Sequence, residues 1–159
     1  MPGAGFAAAR WLALLVPAGL MAGALGSQYL GGLYPCEMCH WQRWPHYAAI
    51  ALALLAFVVP AGAPRPVLVA LAGLAVFTSG AIGAFHAGVE YHWWPGITAC
   101  SSTIASGGDP LAAIMRAPIV RCDAPQWSLA GISLAGFNAL FSLSGGIAIW
   151  GLLLRRRRG

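Results

Sequence analysis

Charge is what this sequence has least of: four of its 159 residues are acidic, lysine is absent, and all nine basic residues are arginine. Charged residues make up 8% of the chain and hydrophobic ones 59%, where a soluble domain carries roughly 25% charged residues. That shortage excludes an ordinary soluble fold. The formal net charge of +5 does not point to nucleic acid either, because four arginines form the run Arg155 to Arg158 directly after an apolar segment, where they act as a membrane-orientation signal. The composition, with a mean hydropathy of +0.73, is that of an integral membrane protein in a lipid bilayer.

Four stretches approach the ~20 helical residues needed to cross a hydrocarbon core: Trp11 to Leu30, Trp44 to Val59, Pro66 to Phe85 and Leu129 to Leu154. The expected fold is all-α, a four-helix bundle forming one membrane domain over residues 1–159. The second stretch is short unless it begins nearer Cys39. The turn Pro60-Ala-Gly-Ala-Pro-Arg-Pro66 predicts a tight helical hairpin, with Pro66 at a helix N1 position, where its missing N–H is no loss. Small residues four apart, Gly19 and Gly23, Ser79 and Gly83, Ala84 and Gly88, are expected to let helices approach closely. The first stretch has the apolar core of a cleavable signal, but it exceeds the usual length of about 7–15 residues for such a core and is read as a span.

Arg10, Arg65 and Arg155 to Arg158 share one side of this topology, which the positive-inside rule assigns to the cytoplasm, with both termini there. The loops at about 31–43 and 87–128 then face the opposite, oxidising side, and they hold all four cysteines: Cys36, Cys39, Cys100 and Cys122. Tryptophans fit the same frame as interfacial anchors, Trp11 and Trp150 inside, Trp41, Trp44, Trp93, Trp94 and Trp127 outside.

The stretch Cys36-Glu-Met-Cys39-His40 spells both a c-type haem attachment motif and a redox C-x-x-C. Zinc is disfavoured by the oxidising compartment and by the absence of C-x-x-C spacing in the second cysteine pair, so no metal is expected. Four cysteines allow three disulfide pairings. Proximity along the chain favours Cys36 with Cys39 and Cys100 with Cys122. On a helix starting near Cys36, the residues Cys39, Gln42, Arg43 and His46 share one face. Arg43 and the helix N-terminus would then favour a thiolate at Cys39. Pro45 bears on this geometry, since it removes a helical N–H and disfavours α geometry at Trp44.

"PCEMCHWQRWPHY", "HAGVE" from His86 to Glu90, "WWPG" before Cys100 and "GISLAGFNAL" together resemble the disulfide bond formation protein B (DsbB) family across nearly the whole chain. The resemblance implies a four-helix quinone reductase of the bacterial inner membrane that reoxidises a periplasmic DsbA-type thioredoxin-fold thiol oxidase. It also implies the broader labels of electron transport and of a chaperone-like folding factor. By the same resemblance, Cys100 and Cys122 form the loop disulfide, and Cys100 makes the mixed disulfide with the partner. Cys36 and Cys39 form the membrane-proximal pair, with Cys39 facing the quinone (ubiquinone or menaquinone) and Arg43 stabilising the charge. Gln42 and His86 are the further candidates for the quinone site, with His92 the alternative to His86. His40, which made the haem spelling tempting, becomes a bystander.

Between Cys100 and Cys122, Asp109 and Pro110 are suited to the cap and N1 of a short helix whose stripe is Leu111, Ile114 and Met115. This helix is expected to lie in the outer interface and keep Cys100 near the first cysteine pair. Spin labels on Leu111 and Ile114 should therefore report protection from water-soluble relaxation agents; full water exposure at both would exclude an interfacial helix.

Overall fold

The computed structural model describes residues 2–98, 101–102 and 119–157. Four long helices dominate: α1 (Pro2–Tyr29), α2 (Glu37–Val58), α3 (Pro64–Glu90) and α4 (Leu134–Arg157). Two short antiparallel pairs sit between α3 and α4, β1 (Ser101–Ser102) with β2 (Ile119–Val120) and β3 (Ser128–Leu129) with β4 (Ile132–Ser133). The interfacial helix expected around Leu111, Ile114 and Met115 falls outside the described residues, as does Cys100.

Three of the helices, α1, α3 and α4, are long and apolar enough to cross a membrane. On its own, α2 falls short of that standard because its first half carries His40, Gln42, Arg43 and His46, and its apolar run begins only at Ala48. The helix ends also differ from those expected. Cys36 caps α2, accepting a hydrogen bond from the Cys39 N–H at 3.2 Å, so the helix starts well before Trp44 and continues through Pro45. Pro64, rather than Pro66, opens α3, and both prolines lie in a first turn whose N–H groups lack helical partners anyway. From the same turn, Arg65 Nε donates to the Val59 carbonyl at 2.7 Å, satisfying the end of α2 with a cation where the helix dipole favours one.

The last helix begins at Leu134 instead of Leu129 because residues 128–133 form a hairpin. Its two central residues, Ala130 and Gly131, have φ of 52° and 79°, the paired positive angles of a type I′ turn. The Tyr91 hydroxyl donates to the Gly131 carbonyl and accepts from the Ser133 N–H, both at 2.9 Å, which ties the hairpin to the end of α3.

Packing closes a ring in which α3 lies against α2 and α4, and α1 against α4 and α2. Small side chains set the spacing: Ala9, Ala13, Ala49, Ala53, Ala56 and Ala72 are buried in one core cluster with Val69, Val76 and Ile149. A second cluster, near the opposite end of α2, gathers Cys36, Met38, Val89, Val120 and Cys122. Between them Gln42, His46 and Ser79 are buried polar residues.

The small-residue pairs divide. A Cβ on Gly83 would meet the Ala135 carbonyl at 3.0 Å and one on Gly80 the Leu143 backbone N at 2.8 Å, so this stretch of α3 lies directly on α4. Gly88 is covered by the Trp94 ring instead of a helix, and Gly19 and Gly23 have nothing within 4 Å, so those two do not serve close packing. Gly80→Val should therefore lower the unfolding free energy in detergent by about 1–3 kcal/mol through overpacking. Gly19→Ala should leave the midpoint of thermal unfolding unchanged or slightly raised.

Candidate functional site

Where α2 begins, its cap and first two turns place Cys36, Cys39, Gln42, Arg43 and His46 along a cavity of about 410 Å³. The walls come from α1 through Leu20, Met21 and Ala24, from α3 through His86 and Glu90, and from α4 through Leu134, Phe137, Asn138 and Phe141. Thus the four residues expected on one helical face do line one space, with Pro45 accommodated inside the helix. His40 and His92 are exposed and line no part of it, so of the two alternative histidines it is His86 that stands at the site.

The Cys36 thiol donates toward the Cys39 sulfur at 2.7 Å, and the Cys39 N–H points at Cys36 Sγ. Both residues precede the apolar stretch of α2. The hydrogen bond that Cys36 donates to Cys39, reinforced by burial, pushes the Cys36 pKa far above the usual thiol range. Cys39 moves the opposite way: the hydrogen bond it accepts from Cys36 lowers its pKa against the opposing effect of burial, and the Arg43 charge adds to the lowering.

Arg43 reaches toward α1, where Nη1 donates to Gln28 Oε1 at 2.6 Å and Nη2 to the Ala24 carbonyl at 3.3 Å. Its charge is thus held beside the cavity by neutral acceptors, and it also pins α1 to α2. At the cavity rim Arg121 donates to both carboxylate oxygens of exposed Asp123, at 2.8 and 2.6 Å, and holds that carboxyl down to about 2.

Beneath the cysteines lies a chain of hydrogen bonds that sequence reasoning did not anticipate. Gln42 Nε2 contacts His86 Nδ1 at 2.8 Å and also donates to the Met38 carbonyl, while Gln42 Oε1 accepts from Asn138 Nδ2 at 2.8 Å. Asn138 Oδ1 accepts from Ser142 and faces His46 Nε2 at 2.9 Å. The Ser79 hydroxyl donates to the Gln42 carbonyl and lies 2.9 Å from the same His46 nitrogen. Since an amide NH₂ only donates, His86 Nδ1 is the acceptor, and its proton sits on Nε2, 3.5 Å from Cys36 Sγ and 3.8 Å from Glu90 Oε1. A lone asparagine, serine or glutamate inside an apolar run was the available signal, since polar groups at membrane depth are retained only where they find partners.

The structure also brings in Cys122, whose Sγ lies within 4.8 Å of both Cys36 Sγ and a ring nitrogen of His86. Loop residues some 85 positions downstream cannot be located by spacing alone, and nothing in the sequence placed this cysteine against Cys36. Chemically, the cluster is suited to exchange: a buried thiol and a stabilised thiolate side by side, a third sulfur within reach, and an apolar cavity opening onto Cys39.

A family model described as "Disulfide bond formation protein DsbB" matches residues 7–153. Among curated relatives, a "Disulfide bond formation protein B" from Verminephrobacter eiseniae is 33% identical over 153 residues, covering 88% of this chain and 81% of that protein. Proteins of the same name from Polaromonas sp. (31% identical, 87% of this chain, 83% of the relative) and Neisseria gonorrhoeae (30%, 91% and 93%) are similar over comparable lengths. No solved structure matches the chain significantly.

The opposed pKa shifts give a measurable asymmetry. In the reduced protein, iodoacetamide should modify Cys39 with a half-maximal pH below the ordinary thiol value of about 8.5, with Cys36 unreactive until much higher pH. Replacing the donor, Cys36→Ala, should move the Cys39 profile upward. Timed alkylation read by peptide mass spectrometry checks both, and identical profiles for the two cysteines would contradict the assignment.

Proposed function

The chain belongs to the DsbB family of disulfide bond formation proteins, and from that premise we propose that it reoxidises a DsbA-type dithiol oxidase, passing electrons through Cys100/Cys122 and Cys36/Cys39 to a membrane quinone. The observation that carries this reading is the placing of Cys122 within reach of Cys36 while Cys39 lines the adjoining cavity.

A thiolate of the partner attacks the Cys100–Cys122 disulfide at Cys100, forming a mixed disulfide and releasing Cys122 as thiolate. Cys122 then attacks Cys36 of the Cys36–Cys39 disulfide, a bond forms between Cys122 and Cys36, and Cys39 leaves as thiolate. The partner's second thiol resolves the mixed disulfide, and the freed Cys100 thiolate attacks Cys122, releasing Cys36. Its two electrons and two protons then reside on the Cys36/Cys39 pair. The helix N-terminus and the Arg43 charge stabilise the Cys39 thiolate. His86, held with its Nε2 proton toward Cys36 Sγ, orients that sulfur.

The residues present suit a quinone head group: apolar walls, the polar groups of Gln42, Arg43, Cys39 and His86, and a buried His46 Nδ1 with no hydrogen-bond partner, in a volume within the usual range for small-ligand sites. When bound, a quinone supplies a two-electron, two-proton acceptor, either ubiquinone or menaquinone. The arginine distribution supports an inner-membrane location with the cysteines on the periplasmic side and both termini in the cytoplasm. No feature among the described residues supports a chaperone role.

The test is quinone reduction in purified membranes driven by a reduced DsbA-type protein. Cys39→Ser should abolish it. Cys122→Ser should abolish reduction by the protein donor but spare reduction by a small dithiol that attacks the Cys36–Cys39 bond directly. Activity undiminished without Cys39 would overturn the mechanism.

A further inference from the structure

Cys36 Sγ, Cys122 Sγ and a ring nitrogen of His86 lie within 4.8 Å of one another, and all three residues are buried. They are contributed by the cap of α2, the segment after β2 and the last turns of α3. Of the two reasons given from the sequence for excluding a metal, spacing along the chain does not apply to donors assembled from three separate segments, and the oxidising compartment does not apply to the reduced form of the protein.

The separation of Cys36 and His86 suits two vertices of a tetrahedral ion, and Cys122 lies close enough to reach a third. With metal–sulfur and metal–nitrogen bonds of about 2.3 and 2.0 Å, the sulfur–nitrogen edge is about 3.5 Å, and Cys36 Sγ to His86 Nε2 measures 3.5 Å. Cys39 Sγ, at 2.7 Å from Cys36 Sγ, is too close to occupy another vertex, where the sulfur–sulfur edge is about 3.8 Å. Glu90 stands outside this group of three donors, its Oε1 3.8 Å from His86 Nε2 and its Oε2 accepting from the Ser133 hydroxyl, so the fourth position falls to water.

We propose that the fully reduced protein binds a thiophilic divalent cation of the Zn²⁺ type through Cys36, Cys122 and His86, with water in the fourth position. Binding displaces one proton from each thiol and transfers no electrons. Ligation through Nε2 moves the His86 proton to Nδ1 and turns the Gln42 Oε1 toward it, at the cost of the bonds the amide makes to the Met38 carbonyl and accepts from Asn138, a cost the metal–ligand bonds offset; a hydrogen bond from the second ring nitrogen is what metal-bound histidines ordinarily have. Cys36, His86 and Glu90 line the cavity, which gives the ion its path in. Converting either sulfur to a disulfide removes a ligand, so only the dithiol form holds the metal. An occupied site takes Cys36 out of exchange and arrests the protein in its reduced state.

The experiment uses the full chain in detergent, reduced with a phosphine, desalted under argon and titrated with Co²⁺. One equivalent should produce thiolate-to-cobalt charge transfer in the near ultraviolet and intense tetrahedral visible bands, all removed by one equivalent of Zn²⁺. The oxidised protein should give neither. Cys39→Ser should retain the spectrum, and Cys122→Ser should weaken binding by at least about tenfold. His86→Cys should raise the charge-transfer intensity about 1.5-fold, three sulfurs replacing two, a gain that misfolding does not produce. Unchanged affinity in Cys122→Ser, which would mean chelation by Cys36 and Cys39 alone, or a weak octahedral spectrum, would overturn the site. Either result leaves the thiol-oxidase reading standing, because that reading fails only in the quinone assay.

Discussion

The side-chain amide of Gln42 lies between three helices, buried from solvent, and each of its polar atoms has a protein partner. In a low-dielectric interior an amide left unpaired costs several kcal/mol on the order of a lost buried hydrogen bond, so its orientation is not free to drift. Asn138 fixes it from one side, because turning the Asn138 amide would forfeit its bonds from Ser142 and to the Ser79 carbonyl. The Met38 carbonyl fixes it from the other. With the amide so oriented, His86 accepts a hydrogen bond at Nδ1 and must carry its proton on Nε2, facing Cys36. A neutral amide one turn from the cysteines thereby sets the tautomer of the histidine beside them.

The same network explains how α2 belongs to a membrane bundle at all. A helix with His40, Gln42, Arg43 and His46 in its first half is poorly suited to lipid, yet Gln42 and His46 are buried among α3 and α4, and Arg43 is held by Gln28 and the Ala24 carbonyl of α1. Trp41, Trp44 and Tyr47, amphipathic rings suited to the interface, are exposed on that half together with Glu37 and His40 near its start. Polar side chains that partner one another across helices are what hydrocarbon tolerates. The chemistry therefore sits on the helix least able to span alone, and its neighbours are what make its position tenable.

The existence of four helices was legible in the sequence because apolar runs near 20 residues have few other uses. Their ends were less so, for identifiable reasons. Arg10 appeared to mark a boundary, but it is inside α1 with its guanidinium 4.2 Å over the Phe57 ring. Leu129 appeared to open the last span, but Ala130 at positive φ turns the chain into a hairpin first, a conformation that alanine does not advertise. Small-residue spacing was ambiguous in kind: Gly80 and Gly83 meet α4, whereas Gly19 and Gly23 face open space. At the site, helical periodicity was enough to collect Cys39, Gln42, Arg43 and His46 on one face. It could not place Cys122, Asn138 or Ser79, since no local period links them to α2.

On the proposed exchange route, geometry and leaving-group chemistry select the same sulfur. Attack by Cys122 on Cys36 expels Cys39, the sulfur whose thiolate the Arg43 charge favours. Attack on Cys39 would expel Cys36, whose thiolate burial disfavours. In thiol–disulfide exchange the lower-pKa thiol leaves faster, so the expulsion of Cys39 is favoured. Burial then adds to it, because Cys122 and Cys36 are both buried members of the second core cluster, against which Cys39 is only partly buried. The pair is thus polarised by its setting, Cys36 buried with the loop cysteine and Cys39 beside the Arg43 charge, and which sulfur leaves follows from which of the two is the better thiolate.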